Sequence, residues 1–381
     1  MKNSDQISRL LKFLFTLTPA QQISESVLVS KTNIDWEKSF YFFARAKIAL
    51  AAWSILKASA FAVSEKSNMF KNIKTEYLAS AVLNLRYQEE LLLILNLFRQ
   101  KLVDVVVLKG PFLAGRLYQD IAARGIGADL DLLIKEHDRF KAKNILEDIG
   151  YQFWPSVETK KFAWSDNYSK ANLPMIDLHW DITLSGRSLK RIEGLWSNAR
   201  LVDYKSIKYY DFMPEELLLF LAANFSNTEI SRQLRYLCDI LRLISIYNDR
   251  LDWDRLISKA KQWKLNGPLY AALYLAFNLG LSNFPKNVFK KISLSLSQKF
   301  FISILINKRH IFNPGLFVRV VDRFFSNFLY EAMVAENMHD YINFLKRLFY
   351  PSLVSNHFTS VFKRIIKGIS KIYCHSRQAV S

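Results

Sequence analysis

Apolar side chains recur every three to four positions through the first hundred residues. Ile48, Ala51, Ala52 and Ile55 form one such set, with Ala62 two turns further on, a spacing that collects them on one face of a helix. A long helix is predicted over roughly 75–101, with Leu78, Val82, Leu85, Leu92 and Leu95 as its apolar face. Trp36 and Trp53 are expected to pack inside this helical region. The pattern changes at Val103. VDVVVLKG is a short β-branched run ended by glycine, as in a buried strand entering a turn. A short helix over 112–118 follows, then a polar loop through Arg124 and the strand ADLDLLI. A helix over 136–149 stops at Gly150, where a left-handed residue commonly ends a helix. Strands are expected at 151–154, 161–164 and 174–182. From Pro214 the chain turns helical again, over 214–225, 232–247, 253–263 and 268–280, with several basic helices across 281–381. The pattern divides the chain into an N-terminal helical region (1–100), an α/β core (101–212) and a C-terminal helical region with a basic tail (213–381).

Composition agrees with a packed protein: 50% of the 381 residues are hydrophobic, too many for a disordered chain. Only 11 Gly and 9 Pro occur, which favours long helices over many short strands. The net charge of +19 points to an anionic partner, whether nucleotide, nucleic acid or an anionic membrane face. Residues 281–381 hold 15 Lys or Arg against 4 Asp or Glu, so much of the excess sits there. Two cysteines, Cys238 and Cys374, exclude a disulfide framework or a thiolate metal cluster and read as free thiols. The longest apolar stretch, 48–63, is broken by Lys57 and is too short to span a bilayer; with no secretory signal, a cytoplasmic location is expected.

The strongest chemical signal is Asp129 with Asp131. Residues two apart on a strand share a face, so both carboxylates project together while Leu130 and Leu132 point into the core. Two adjacent anions repel, and a divalent cation relieves the repulsion; Mg²⁺ favours one or two carboxylates together with phosphate oxygens. An isolated pair of this kind also describes two solvated edge-strand aspartates. Context favours the metal reading. Strand–Lys109–Gly110–helix sets backbone N–H groups at a helix start, a ready phosphate site, and glycine lets a phosphate approach the main chain. Asp177, alternating with Ile176 and Leu178 on a later strand, can complete a three-carboxylate set for two-metal phosphoryl transfer.

LKGPFLAGRLYQDIAARGIGADLDLLI, followed by IDLHW, resembles the uncharacterised bacterial nucleotidyltransferase family within the DNA polymerase beta superfamily. DWEKSFYFFARAKIA, LRYLCDI and LDWDRLISKAKQWKL resemble its helical flanks, so the likeness runs over most of 30–350. It implies an α+β fold, with a small mixed-sheet nucleotidyltransferase core between helical regions. It also implies transfer of a nucleoside monophosphate from an NTP to an acceptor hydroxyl with Mg²⁺ or Mn²⁺. Asp129, Asp131 and Asp177 would be catalytic and metal-binding, and Lys109, Gly110, Arg124 and His179 would contact phosphate or substrate. The acceptor could be a small molecule, a sugar or lipid intermediate, a tRNA or a protein; no specific nucleic-acid motif is present. Two features depart from the family pattern. Pro111 stands where a Ser or Thr hydroxyl is usual, and the loop 124–128 is a residue longer than the common spacing. Both leave room for an altered substrate or a degenerate enzyme, and Pro111 with the basic tail leaves open a non-catalytic binding or scaffold protein, with or without peripheral membrane contact.

Other residues carry weaker expectations. His179 shares a face with Asp177, as a partner of the carboxylates or a structural histidine. Asp239 stands four residues from Arg235, the spacing of a helical ion pair. Asp120 and Asp138 are expected to be solvated, and Trp180 to be core. Residues 358–373 form a basic amphipathic pattern that suits either peripheral membrane contact or core packing.

Overall fold

The structure is a computed structural model and describes residues 3–30, 34–59, 68–125, 129–154, 165–182, 194–226, 228, 230–306 and 312. At its centre lies a mixed seven-stranded sheet of order β3-β4-β5-β2-β1-β7-β6. β1 (Val105–Val107) runs antiparallel to β2 (Asp129–Ile134), which runs parallel to β5 (Met175–His179). β4 (Ser165–Ser169) and β3 (Gln152–Trp154) extend one side, and β7 (Ile207–Asp211) and β6 (Arg200–Tyr204) the other. β1 and all but the first residue of β2 are buried, which is why both read as near-continuous apolar runs. This is the α+β, mixed-sheet core with helical flanks that the sequence implied.

Each sheet face has its own core. On one, Leu130, Leu132 and Ile134 pack with residues of α5 (Asn68–Gln100) and α7 (Arg139–Asp148). On the other, Val106 and Leu133 join a larger core shared by α1 (Asn3–Thr16), α3 (Trp36–Arg45) and α4 (Ala49–Ala58), which follow and precede the short α2 (Pro19–Ser30). α6 (Pro111–Tyr118), α8 (Pro214–Ser226), α9 (Ile230–Tyr247), α10 (Trp253–Gln262) and α11 (Asn266–Asn278) contribute to the same core. α8 is buried nearly all round, including Glu215 and Glu216 in its first turn. Glu216 is matched by Arg255 at 2.9 Å and Lys259 at 2.8 Å, and Glu215 accepts from the Asp252 N–H at 3.0 Å. α12 (Val288–Lys291) and α13 (Leu296–Leu305) follow. Trp53 is buried beside Phe70, with Trp36 against the same ring, as the pattern indicated. Among the described residues no helix is long and apolar enough to cross a membrane.

Three expectations need correction. α5 buries only the C-terminal part of the face expected for it: Leu95 is buried and Leu92 half-buried, but Leu78, Val82 and Leu85 are 54%, 67% and 50% exposed. The inward line is Ile73, Ser80, Asn84 and Gln88, then Leu91, Ile94, Leu95 and Phe98. Ser80 donates to the Ala122 carbonyl at 3.1 Å and receives from Asn84 at 3.1 Å, so polar partners in the α6–β2 connection set the rotation of the helix. Asp120 and Asp138 are not merely solvated. Asp120 accepts from Ser54, Tyr77 and the Ala122 N–H, tying α4 and α5 to the end of α6, and Asp138 is buried with Lys141 and His137 beside it. The β6–β7 hairpin was not anticipated. Its strands are interrupted by charge, and its turn runs through Lys205 and Ser206 at φ 51° and 65°, without the glycine or asparagine that usually marks such a turn. Ala62, the strand expected at 161–164, Cys374 and the amphipathic stretch 358–373 lie outside the described residues.

Candidate active site

The carboxylates are set by strand geometry. In β2 the leucines Leu130 and Leu132 enter one core, so Asp129 and Asp131 face the other side, toward the C-terminal helices. β5 lies parallel beside β2 in a register that puts Asp177 directly opposite Asp131, and its own alternation buries Ile176 and Leu178. His179, two residues on, shares that face. Its Nε2 lies 3.2 Å from Asp131 Oδ1 and 3.1 Å from Asp177 Oδ2. Trp180, next in the chain, is core, with the Arg139 guanidinium 4.1 Å above its ring.

The Lys109–Gly110 turn closes the site from the end of β1. Gly110 sits at φ 79°, ψ −153° as the N-cap of α6, a backbone state essentially restricted to glycine. A Cβ there would stand 3.0 Å from Leu130 Cδ2. Gly110→Ala is therefore expected to cost about 1–3 kcal/mol in urea unfolding; a loss within experimental error would show that the turn relaxes freely. Pro111 follows at N1, where a missing N–H does not break a helical bond.

Lys109 Nζ lies 2.7 Å from Asp131 Oδ1. Burial alone would lower the lysine pKa, but the charge and hydrogen bond of Asp131 together with Tyr236 and Asp129 outweigh it, and the net shift is upward. Burial would likewise raise the Asp131 carboxyl; Lys109 and His179 outweigh it and hold the group well below the usual range. For His179, burial opposes the charge and is overcome by Asp177 and Asp131, which push the imidazole up to about 9. Asp129 moves upward, through burial and the neighbouring Asp131 charge, with Lys109 opposing. The face thus sets three carboxylates, Asp129, Asp131 and Asp177, against two cationic side chains, Lys109 and His179.

A pocket of ≈ 170 Å³ is lined by Asp129, Asp131, Lys109, Gly110, Arg124 and Tyr236, among others, with Asp177 and His179 behind Asp131 and outside the lining. The most compact set of metal-ligating atoms among the described residues is Asp131, Asp177 and His179, all within 4.8 Å of one another. Asp177 Oδ1 is buried with no hydrogen-bond partner among the described residues, so it has a lone pair to offer a cation. The two carboxylates are the hard oxygen ligands that suit a divalent ion such as Mg²⁺ or Mn²⁺, while the imidazole already contacts both of them. Asp129 stands two residues along the same face, at the pocket wall.

Arg124 also lines this pocket, but its guanidinium is engaged: Nε and Nη2 donate to Asp239 Oδ2 at 3.1 and 2.8 Å. Tyr118 donates to the other oxygen of Asp239 at 2.8 Å. The partner of Asp239 is therefore Arg124 and not Arg235, whose Nη2 donates to the Arg124 carbonyl at 2.8 Å. Sequence reasoning missed Asn84 and Tyr236 as pocket residues. The i, i+4, i+8 spacing of Ser80, Asn84 and Gln88 is the signal that could have found the first, because it puts three uncharged polar residues on one face of the helix.

No curated protein matches the chain. Solved structures that match include the solution structure of the antibiotic-resistance factor ANT(2″)-Ia, at 9% identity and TM-score 0.31, covering 48% of this chain and 91% of that one. They also include a crystal structure of an antigenic nucleotidyltransferase-like protein from Paracoccidioides brasiliensis, at 14% identity and TM-score 0.32, covering 57% of this chain and 97% of that one. The family model described as uncharacterised nucleotidyltransferase matches residues 32–280, which take in the whole carboxylate face and most of the helices around it, and the chain belongs to that family.

Proposed function

We propose that this protein transfers a nucleoside monophosphate from an NTP to an acceptor hydroxyl, releasing pyrophosphate, in the presence of Mg²⁺ or Mn²⁺. One observation carries the reading: Asp131 pairs in register with Asp177, and Asp129 and the Lys109–Gly110 turn border the same pocket. A divalent cation held by Asp129, Asp131 and Asp177 would neutralise phosphate charge and lower the pKa of the attacking hydroxyl. The protein's own groups do the positioning. Gly110 lets a phosphate approach the main chain at the start of α6, with the backbone donors beginning at Phe112 because Pro111 has none. Lys109, at the pocket wall and 2.7 Å from Asp131, would supply positive charge to phosphate oxygens. His179 orients Asp131 and Asp177 through its contacts to both. Arg124, fixed by Asp239, lines the same pocket and would add positive charge beside a bound phosphate. Such positioning and charge neutralisation provide most of the rate in phosphoryl transfer.

Pro111 supports a second reading, a binding or scaffold protein that keeps the nucleotide pocket without the chemistry. Incubation with each α-labelled NTP, Mg²⁺ or Mn²⁺ and a cell extract separates the two. Metal-dependent transfer of label to an acceptor is the expected result. Metal-dependent nucleotide binding without transfer would establish the scaffold instead, and absence of both would sink the nucleotide reading.

A further inference from the structure

α6 presents two faces to two different spaces. Gly110 and Ala114 border the carboxylate pocket, while Pro111, Phe112, Gly115 and Arg116 border a larger cavity of ≈ 240 Å³ against the β6–β7 hairpin. Positions 111, 112, 115 and 116 form one helical stripe. Val107 and Tyr209 in the wall belong to the core on the sheet face opposite the carboxylates, Leu113 and Leu217 belong to the other core, and Ile121 borders both spaces, so the cavity adjoins the carboxylate pocket across α6 and has a lining of its own. We propose that it is a second binding site, one that takes a small aromatic carboxylate.

Three observations support the site and its ligand class. The first is room. The volume is far above the ~15 Å³ that admits one water. Gly115 stands inside a helix, where glycine weakens the helix relative to alanine, yet a Cβ added to it meets no atom within 4 Å. No neighbouring protein group requires a glycine there; its effect is to keep the wall open between Phe112 and Arg116. The second is the aromatic lining. Phe112 lies 5.1 Å from the Tyr204 ring and 5.0 Å from the Tyr209 ring, a surface that suits another ring. The third is charge. Arg116 Nη1 reaches both oxygens of Asp211 at 2.8 and 3.0 Å, and Arg200 Nη2 reaches Oδ2 at 2.8 Å. Two guanidiniums share one carboxylate, and Arg116 Nη2 is buried with no hydrogen-bond partner among the described residues. The wall carries one positive charge more than it needs, which selects a ring bearing a single anionic group.

The test uses the full chain with benzoate, 4-hydroxyphenylacetate and uncharged benzamide as probes, followed by calorimetry and ligand-observed NMR. Both carboxylates should bind saturably, and benzamide about tenfold or more weakly. Gly115→Leu, which fills the space, should abolish binding while leaving the melting temperature unchanged or raised. Arg200→Glu, on the exposed edge strand, should weaken the carboxylates and spare benzamide. Asp129→Asn with Asp131→Asn should leave carboxylate binding unaltered, so the result does not depend on the nucleotidyltransferase reading. Absence of saturable carboxylate binding at millimolar concentration, equal affinity for benzamide, or undiminished binding to Gly115→Leu would each overturn the proposal. A clear fall in the melting temperature of Gly115→Leu would do so too, by showing that the space is filled in solution.

Discussion

Asp131→Asn is expected to lower label transfer by about 10³-fold, ~4 kcal/mol of transition-state stabilisation, while the protein stays folded. Asp131 is the hub of the site: it is 2% exposed, it contacts Lys109 and His179, and it lies in register with Asp177. Asparagine keeps its shape and leaves Leu130 and Leu132 in their core, but offers a divalent cation a neutral oxygen in place of an anion. Two effects on stability oppose each other. Lys109 and His179 lose an anionic partner, while the repulsion that raises the Asp129 carboxyl is relieved. Transfer rates at saturating NTP, alongside near-ultraviolet circular dichroism, decide the matter. Activity within about tenfold of the unaltered protein would remove Asp131 from the reaction.

Asp239→Ala should produce the largest loss of stability, about 3–5 kcal/mol in urea unfolding, because it leaves a buried guanidinium without its counter-charge. Asp239 is 1% and Arg124 8% exposed, and the carboxylate also receives the Tyr118 hydroxyl. Arg235 compounds the loss: it is held beside Arg124 by its bond to the Arg124 carbonyl, so removing Asp239 takes away the anion that both guanidiniums face. Replacing both partners with apolar residues, Arg124→Met with Asp239→Leu, should recover much of the deficit, since it is the unpaired charge that is costly. A single-variant loss below about 1 kcal/mol would mean that solvent reaches Arg124 and screens it.

Much of the carboxylate face was legible because it depends on a two-residue period. Asp129 and Asp131 alternate with Leu130 and Leu132, and Asp177 with Ile176 and Leu178; such alternation settles which side each group faces before any pairing is known. The glycine at 110 was legible for a similar reason, since a β-branched run ending in glycine before a helix admits few backbone paths. α5 was misread by the same kind of argument. A helix carrying both an apolar and a polar stripe offers two candidate inner faces, and the hydrogen bonds of Ser80 with its neighbours chose the polar one. The β6–β7 hairpin escaped because Lys205 and Ser206 adopt a left-handed turn that their residue types do not announce.

The sequence by itself determined the local periods: where strands alternate, where helices begin and stop, and which residues must share a face. Only the tertiary structure decided which faces meet. That Asp177 lies against Asp131, that Asp239 holds Arg124 in preference to its helical neighbour Arg235, and that the inner face of α5 is polar at Asn84 all depend on contacts between distant segments. Local propensity carries no information about those contacts. They are selected when burial of the two sheet faces and the pairing of buried charges are satisfied together.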